Sequence, residues 1–227
     1  LFEQDFDLAQ SLNHNAHRLS IEWSRIEPRE GEFCAEELKH YLDVICALKA
    51  RGIEPIVTLH HFTNPIWLSD SGGWERRNVS QKFLRYCEFV VRALAPHVRY
   101  WITINEPTIY ISHAYLWGAW PPQVKSYLRT RAVQDNLVAA HIRAYRLIHD
   151  IYKNMNLEAP QVSISQFTQA FVPCTPSVRN RCAAYLRNQW YNFGFLDAIA
   201  RHRAMDFVGI NYYSRQLVDV KRWSIKG

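Results

Sequence analysis

Apolar positions along the chain follow two alternating patterns. Short runs of β-branched and aromatic residues predict strands, and they fall at 17–23, 53–59, 100–105, 161–165 and 206–213. Between these runs, apolar residues spaced i, i+3, i+4, i+7 predict amphipathic helices around 38–45, 83–90 and 137–144. A further helical pattern precedes the first strand. The chain therefore alternates strands with helices.

This alternation requires parallel strands joined by right-handed crossovers, as in a doubly wound sheet or a (β/α)8 barrel. No G-x-G-x-x-G motif follows any predicted strand, which argues against a dinucleotide-binding sheet. A barrel gathers polar and aromatic residues at the carboxyl ends of its strands. Such residues lie at or just after the end of every predicted strand: Glu22, Trp23, His60, His61, Asn105, Glu106, Gln166, Asn211, Tyr212 and Tyr213. We therefore predict an α/β fold, a (β/α)8 TIM barrel that is incomplete because five strands are too few to close it.

Composition narrows the class of protein. The 227 residues, 48% of them hydrophobic, suffice for one large core, and no linker or repeat divides them, so we expect a single domain over 1–227. The net charge of +6 is spread along the chain and indicates a solvated surface rather than nucleic-acid binding. No run approaches the ~20 apolar residues of a membrane span, and no signal peptide is visible. The five cysteines contain no C-x-x-C pair, which favours a reducing, cytoplasmic location.

Two long segments, 60–79 and 107–127, are rich in tryptophan, with Trp67, Trp74, Trp117 and Trp120. Segments of this length are usually functional or disordered, and the aromatic content argues against disorder. Aromatic rings beside polar strand ends suit sugars, whose C–H faces are apolar and whose rims carry hydroxyls. The alternative is that these tryptophans only anchor the segments.

Several of the strand-end residues have ordinary structural explanations. Arg18 suits an internal ion pair, His60 and His61 suit a hydrogen-bonded core, and Asn211 suits the start of a loop. Successive strand residues point to opposite faces, so the two histidines cannot share one metal ion, and we expect no metal site. Glu106 is harder to explain structurally, because a carboxylate at the end of a barrel strand is suited to general acid and base catalysis.

Five segments together resemble glycoside hydrolase family 1, the β-glucosidase family. They occur in the family's order and extend across essentially the whole chain: RLSIEWSRIEP at 18–28, VTLHHFTNPIWL at 57–68, GGWERRN at 72–78, WITINEP at 101–107 and DFVGINYYSR at 206–215. The resemblance implies a TIM barrel, represented here by about its strands 2 to 6 with their helices. It also implies hydrolysis of terminal β-glycosidic bonds with retention, by two glutamates and without a metal or organic cofactor.

The resemblance assigns a role to each matching residue. Glu106, in the Asn-Glu-Pro motif, matches the general acid/base, and Asn105 matches the residue that holds the sugar 2-hydroxyl. His61 matches the histidine that binds the terminal sugar. Arg18 matches the arginine that steadies the nucleophilic carboxylate, and Asn211 and Tyr213 match residues beside that carboxylate.

The chain also departs from the family pattern. Phe62 stands where many members have tryptophan, and GAWPPQ at 118–123 replaces a loop that often reads Ala-Pro-Gly. The family's first strand, with its sugar-binding glutamine, is absent. The nucleophile motif Thr-Glu-Asn-Gly is also absent, and after Glu158 the only acids are Asp197, Asp206 and Asp219.

None of these acids replaces the missing nucleophile. Asp206 is expected at the opposite end of the barrel, Asp197 lies in a helical pattern, and Asp219 lies beyond the last predicted strand. Glu22 shares a strand face with Arg18, which favours a structural ion pair between them. We therefore expect the nucleophile to lie outside these residues. For this chain alone we expect little or no glycosidase activity and poor folding, since an unclosed barrel exposes strand edges.

The sequence thus favours a β-glucosidase-like enzyme acting on a small β-glucoside or oligosaccharide, with no nucleic-acid or membrane partner. One alternative is a non-catalytic carbohydrate-binding or scaffold remnant of a family 1 barrel. Another is a 6-phospho-β-glycosidase, which requires cationic phosphate contacts. The sequence predicts neither the preferred sugar and aglycone nor the oligomeric state.

Overall fold

The computed structural model describes residues 2–221. Its five strands form one parallel sheet in chain order. The strands are β1 (Ala16–Ser20), β2 (Glu54–His60), β3 (Tyr100–Asn105), β4 (Gln161–Pro173) and β5 (Gly209–Val218). The α/β class with parallel strands is confirmed.

Helices precede, connect and follow the strands. The α-helices are α1 (Phe2–Ser11), α2 (Trp23–Ile26), α3 (Ala35–Ala50), α4 (Ile66–Asp70), α5 (Val79–Leu94), α6 (Pro107–Ile111), α7 (Tyr127–Asn154), α8 (Val178–Asn188) and α9 (Gly194–Ala200). A 3₁₀ turn occupies Gly73–Glu75, and π-helical turns occupy Ser112–Leu116 and Gln189–Phe193. Within the described range, none of these helices combines the length and the hydrophobicity that crossing a membrane requires.

The sheet is strongly curved. Arg18 on β1 donates through Nη1 to Ser165 Oγ on β4 at 3.2 Å and to Asn211 Oδ1 on β5 at 3.5 Å. In a flat sheet, strands one and five would lie four spacings of ~4.8 Å apart, roughly 19 Å. A side chain of β1 can contact β4 and β5 only if the sheet wraps around a shared interior. The five strands therefore form part of a barrel wall, as predicted.

The core lies between the convex face of the sheet and the helices. The predicted face of α5 is buried, with Phe83, Tyr86, Cys87 and Val90 all fully enclosed. The ring of Tyr86 stacks on Trp23 at 5.0 Å between centroids. The predicted face of α7 is also buried, as its i, i+3, i+4, i+7 spacing required.

An acidic residue fixes the amino-terminal side of the sheet. Asp206 precedes β5 and accepts hydrogen bonds from the backbone N–H of Val162 at 2.8 Å, from Tyr145 Oη at 2.7 Å and from His149 Nε2 at 2.9 Å. These contacts tie β4 to α7. Asp206 therefore has a structural role at the end of the barrel away from Glu106.

Two strands are longer than the sequence patterns predicted. β4 continues to Pro173 and β5 to Val218, paired from Ala170↔Arg215 to Pro173↔Val218 beyond a register shift between Thr168 and Ala170. Past Gln166 this ribbon is mostly not buried, so it lacks the apolar run by which a buried strand is recognised. Consequently Asn211 lies within its strand rather than at the strand end.

Candidate active site

Glu106 lies at the carboxyl end of β3, where the backbone leaves the sheet. Its φ of 43° is left-handed, an uncommon conformation for a residue with a side chain, and Pro107 then begins α6. Its backbone N–H donates to Ser165 O at 2.6 Å, and the residue is only 6% exposed. This turn directs the carboxylate into the barrel interior.

Two residues of β5 donate to that carboxylate. Asn211 Nδ2 lies 2.6 Å from Glu106 Oε1, and Tyr213 Oη lies 3.4 Å from the same oxygen. Burial, together with the neighbouring Glu106 charge, raises the pKa of the Tyr213 hydroxyl. The phenol therefore stays protonated near neutral pH and acts as a donor.

Arg18 lies at the centre of the polar interior. Its Nη2 donates to Asn105 Oδ1, its Nε donates to Thr58 Oγ1 at 3.1 Å, and Nη1 contacts Ser165 and Asn211. Burial lowers the pKa of Arg18, and the nearby Glu106 charge opposes that shift. Arg18 forms no ion pair with any acid in residues 2–221. Its positive charge is hydrogen-bonded but is not directly paired with a carboxylate.

Asn105 is 1% exposed, and its side-chain oxygen is occupied. Asn105 Oδ1 accepts from Arg18 and, at 3.4 Å, from Asn211 Nδ2. With the oxygen engaged, the amide nitrogen is the end of the side chain that can donate to a ligand.

The two adjacent histidines occupy different environments. His61 is largely exposed, and its Nδ1 lies 2.8 Å from Ser20 Oγ. Partial burial of its ring and the nearby Arg18 charge lower its pKa, which favours the neutral imidazole. His60 is 1% exposed, its Nε2 lies 3.1 Å from Asn64 Oδ1, and burial lowers its pKa to about 4. His60 is thus a core residue, and His61 is the one that faces the site.

The expected ion pair between Glu22 and Arg18 is wrong. Glu22 Oε1 accepts from Ser24 N at 3.3 Å and from Ser24 Oγ at 2.8 Å, which caps α2. Its Oε2 accepts from Thr63 Oγ1 at 2.7 Å. β1 ends at Ser20, three residues earlier than the predicted strand 17–23, so the backbone turns before Glu22 can share a face with Arg18.

The four tryptophans of segments 60–79 and 107–127 were expected either to contact a sugar or only to anchor their segments, and they lie in different environments. Trp67 and Trp74 anchor their segment, because their indole N–H groups donate to Glu27 O and Asn64 Oδ1, each at 2.8 Å. Trp117 and Trp120 are only partly buried. Trp120 lies 5.0 Å from the ring of Phe62, at the edge of a cavity of ≈ 630 Å³. The segment at 107–127 therefore presents aromatic surface near His61.

Three residues that hold the site carry no recognisable sequence signal. Ser20 positions His61, while Thr58 and Ser165 position Arg18. The only indication available was strand alternation, which places Arg18 and Ser20 on one face of β1. Another strand-end residue, Gln166, is fully buried and donates to Thr108 Oγ1 at 3.1 Å and Tyr191 O at 2.9 Å, which fixes the start of α6.

The interior holds one carboxylate, a guanidinium, several amides, an imidazole and a phenol. Across the described residues, no group of three or more His, Cys, Asp or Glu side chains is placed to hold a metal ion. The arrangement can donate hydrogen bonds to the hydroxyls of a ligand and can transfer a proton through Glu106.

The chain is similar in sequence and in structure to several known glycosidases. A 6-phospho-beta-galactosidase from Clostridium acetobutylicum is 34% identical over 200 residues, which cover 87% of this chain and 41% of that enzyme. Beta-glucosidase 3 from Arabidopsis thaliana is 33% identical over 208 residues, covering 86% of this chain and 40% of that enzyme. The solved beta-glycosidase from Pyrococcus horikoshii superimposes with a TM-score of 0.87 at 35% identity, over 94% of this chain and 52% of that one.

The chain therefore spans about two-fifths of the length of these curated relatives. The sequence profile of glycosyl hydrolase family 1 matches residues 1–204, nearly the whole chain. This match and the shared half of a TIM barrel agree with the resemblance carried by the five sequence segments. The chain belongs to glycosyl hydrolase family 1.

Proposed function

We propose that these residues form the acid/base half of a retaining β-glycosidase of the β-glucosidase type. The observation that carries this proposal is the buried carboxylate of Glu106, held by Asn211 Nδ2 at 2.6 Å inside the curved sheet. A buried carboxylate at the end of a barrel strand, beside groups that can donate hydrogen bonds to sugar hydroxyls, suits the general acid/base of glycoside hydrolysis. The substrate is a small β-glucoside or oligosaccharide.

In this proposal Glu106 acts in both steps of a double displacement. In the first, it gives its proton to the glycosidic oxygen while a second carboxylate forms a bond to the anomeric carbon and the leaving group departs. In the second, Glu106 removes a proton from water, which attacks the anomeric carbon and releases the second carboxylate. The amide nitrogen of Asn105 binds the 2-hydroxyl, and His61 binds another hydroxyl of the same sugar.

The second carboxylate is proposed to come from a glutamate outside these 227 residues. Arg18 supplies the positive charge that this carboxylate would pair with, since its present partners are neutral oxygens. Asn211 and Tyr213 lie beside Arg18 and Glu106 and would flank the incoming carboxylate. Retaining enzymes place their two carboxyl groups about 5 to 5.5 Å apart, which requires it to approach this same group of side chains.

The proposal is tested by comparing two polypeptides on 4-nitrophenyl β-glucoside. One is the chain of residues 1–227, and the other continues it with the remaining strands of a family 1 barrel. We expect turnover only from the longer protein. Turnover by the shorter chain that depends on Glu106 would contradict an external nucleophile. Absence of turnover by the folded longer protein, with every glycoside offered, would favour the non-catalytic carbohydrate-binding or scaffold alternative.

A 6-phospho-β-glycosidase is the second candidate activity. The observation that favours it is the 34% identity to the Clostridium 6-phospho-beta-galactosidase. The longer protein would be assayed on aryl β-glucosides and β-galactosides with and without a 6-phosphate. A preference for the phosphorylated sugar would assign this activity, whereas a preference for the neutral sugar would retain the β-glucosidase assignment.

We further propose that residues 1–227 belong to one domain and that the protein is cytoplasmic. All five cysteines are unpaired, which suits a reducing compartment. A single unfolding transition would support one domain, and recovery of the protein with the cytoplasmic fraction would support the location. Two separate unfolding transitions would contradict a single domain. Secretion of the protein would contradict a cytoplasmic location.

A further inference from the structure

A second cavity lies where the β4–β5 ribbon meets the two π-helical turns. Its volume is ≈ 300 Å³. Its walls combine large aromatic rings with amide and guanidinium groups, mainly Trp117, Phe171, Trp190, Gln169, Arg187 and Gln216. Small-molecule sites typically occupy ~300 to 1,000 Å³, so this cavity suits a ligand of about one ring.

A layer of aromatic rings connects the cavity to Glu106. The ring of Tyr213, whose hydroxyl lies 3.4 Å from Glu106 Oε1, stacks on Phe167 at 5.5 Å between centroids. Phe167 in turn packs edge-on against Tyr191 at 5.7 Å, and Tyr191 also lines the cavity. Burial and the Glu106 charge both raise the pKa of Tyr191. The rings of Tyr213 and Phe167 therefore lie between Glu106 and Tyr191, which forms part of the cavity wall.

One wall of the cavity is held rigidly. Asn192 is 8% exposed; its Oδ1 accepts from Gln169 N at 3.0 Å and its Nδ2 donates to Gln169 O at 2.8 Å. These two bonds hold the backbone of Gln169 at the register shift between Thr168 and Ala170. The wall that contains Gln169 is therefore pre-formed, which lowers the entropic cost of binding a ligand.

The polar groups of this cavity are only partly used by the protein. Gln169 Nε2 donates to Ser214 Oγ at 2.9 Å, and Gln216 Oε1 accepts from Arg187 Nη1 at 3.4 Å. Within residues 2–221 this leaves Gln169 Oε1 as an acceptor, and Gln216 Nε2 with the other Arg187 N–H groups as donors.

In the larger cavity, beside Phe62, the polar side chains are hydrogen-bonded to other protein groups. Arg129 there forms two 2.6 Å bonds to Glu75, one to each carboxylate oxygen. Asn64 donates to Tyr110 Oη at 3.0 Å and accepts from Trp74 Nε1 at 2.8 Å. Its principal polar groups are thus already bonded to one another, so the smaller cavity is better equipped to recognise a polar ligand.

We propose that the smaller cavity binds a hexopyranose ring, as a saccharide site separate from the one at His61 and Asn105. The exposed indole of Trp190 would cover the apolar C–H face of the sugar, while Gln169, Arg187 and Gln216 would bind its hydroxyls. The choice of a sugar as ligand rests on the proposed glycosidase function. An oligosaccharide could then contact both sites at once.

The test measures binding rather than turnover. Cellobiose and methyl β-glucoside would be titrated into the protein carrying His61→Ala, which weakens the site at Glu106, with tryptophan fluorescence and calorimetry as readouts. We expect saturable binding of the sugar. Trp190→Ala, added to the same protein, should weaken it about fivefold or more, the usual cost of removing a central aromatic contact.

A matched control is available on the adjoining helix. Tyr185 on α8 is 62% exposed and lies outside this cavity, so Tyr185→Ala should leave the affinity unchanged. Gln216→Ala provides a second variant with a small effect on packing, and it should also weaken binding. Equal affinity in the parent, Trp190→Ala and Gln216→Ala proteins would overturn the proposal, as would binding of phenol without binding of either sugar. Failure of the proposed activity would appear instead as absent turnover by the longer protein, whatever these binding results are.

Discussion

Asn211 Nδ2 lies 2.6 Å from Glu106 Oε1, so a residue of β5 holds a carboxylate that follows β3. β4 lies between these two strands in the sheet. The contact is possible because the sheet curves and because Glu106 turns its side chain into the interior. Residues of separate strands are thus brought together by the curvature of the barrel wall.

Replacing Asn211 with alanine should impair catalysis by the longer enzyme. A hydrogen bond to a charged group contributes about 1.5 to 3 kcal/mol, so the loss of kcat/KM should be roughly 10- to 150-fold. Asn136→Ala is the matched control, because Asn136 also donates through its amide, at 2.8 Å to Trp74 O, but lies away from Glu106. Equal kinetic losses in the two variants would show that the Asn211 contact has no specific role.

The two adjacent histidines should respond differently to substitution. His61→Ala should weaken sugar binding with little change in the free energy of unfolding, since the side chain is exposed. His60→Ala should lower that free energy by about 1 to 3 kcal/mol, because it removes a buried ring packed against Trp74. Chemical denaturation and sugar titration of both variants provide the comparison. The reverse pattern would mean that the wrong histidine has been assigned to the site.

Asp206 should be important for stability but not for chemistry. Asp206→Asn weakens the acceptor for Val162 N, Tyr145 Oη and His149 Nε2, and should lower the free energy of unfolding by about 1.5 to 3 kcal/mol. Burial and the Asp206 interaction raise the pKa of Tyr145 to about 12, so this variant should also lower that pKa. Asp197→Asn, at an exposed position of α9, is the control and should change neither quantity. A selective fall in kcat for Asp206→Asn, at unchanged stability, would contradict a structural role.

Stability should fall as the solution becomes mildly acidic. Burial lowers the pKa of His141 to about 4, and its ring lies between Thr103 Oγ1 and Ala204 O, each at 2.6 Å. An unfolded histidine titrates near 6.5, so between pH 6.5 and 4 the unfolded state binds a proton that the folded state does not.

Between pH 6.5 and 4, one such histidine lowers the free energy of unfolding by up to about 1.4 kcal/mol for each unit that the pH falls. His60, whose pKa is also lowered by burial to about 4, adds a second contribution of the same sign. Urea denaturation at intervals between pH 7 and 5 measures this slope. The His141→Gln variant should show a shallower slope, and an identical slope would show that His141 is not buried in its neutral form.

Much of the fold was accessible from the sequence because burial imposes periodicity. The helix faces of α5 and α7, and the start of β3 at Tyr100, follow from the spacing of apolar residues. The extensions of β4 and β5 were missed because the ribbon that they form is only partly buried and has no continuous apolar run. The spacing of apolar residues indicates which positions are buried, but it does not indicate which exposed strands pair with each other.

The candidate site was predictable to the extent that motifs name residue types at strand ends. Glu106 and Asn211 were recognised in this way, and the structure brings them within hydrogen-bond distance. Glu22 was misplaced because β1 ends at Ser20, so the alternation of side chains along the strand no longer applies at Glu22, which caps α2 instead. Ser20 and Ser165 were missed because short hydroxyl side chains become important only through the long-range contacts that they make.

The measurement that tests the central claim most directly is the leaving-group dependence of Glu106→Gln in the longer enzyme. If Glu106 is the general acid, its loss should reduce kcat/KM by about 10² to 10⁴-fold for cellobiose, whose leaving group requires protonation. The loss should be much smaller for 2,4-dinitrophenyl β-glucoside, whose leaving group departs without a proton. Equal losses on the two substrates would contradict the assignment of Glu106 as the acid.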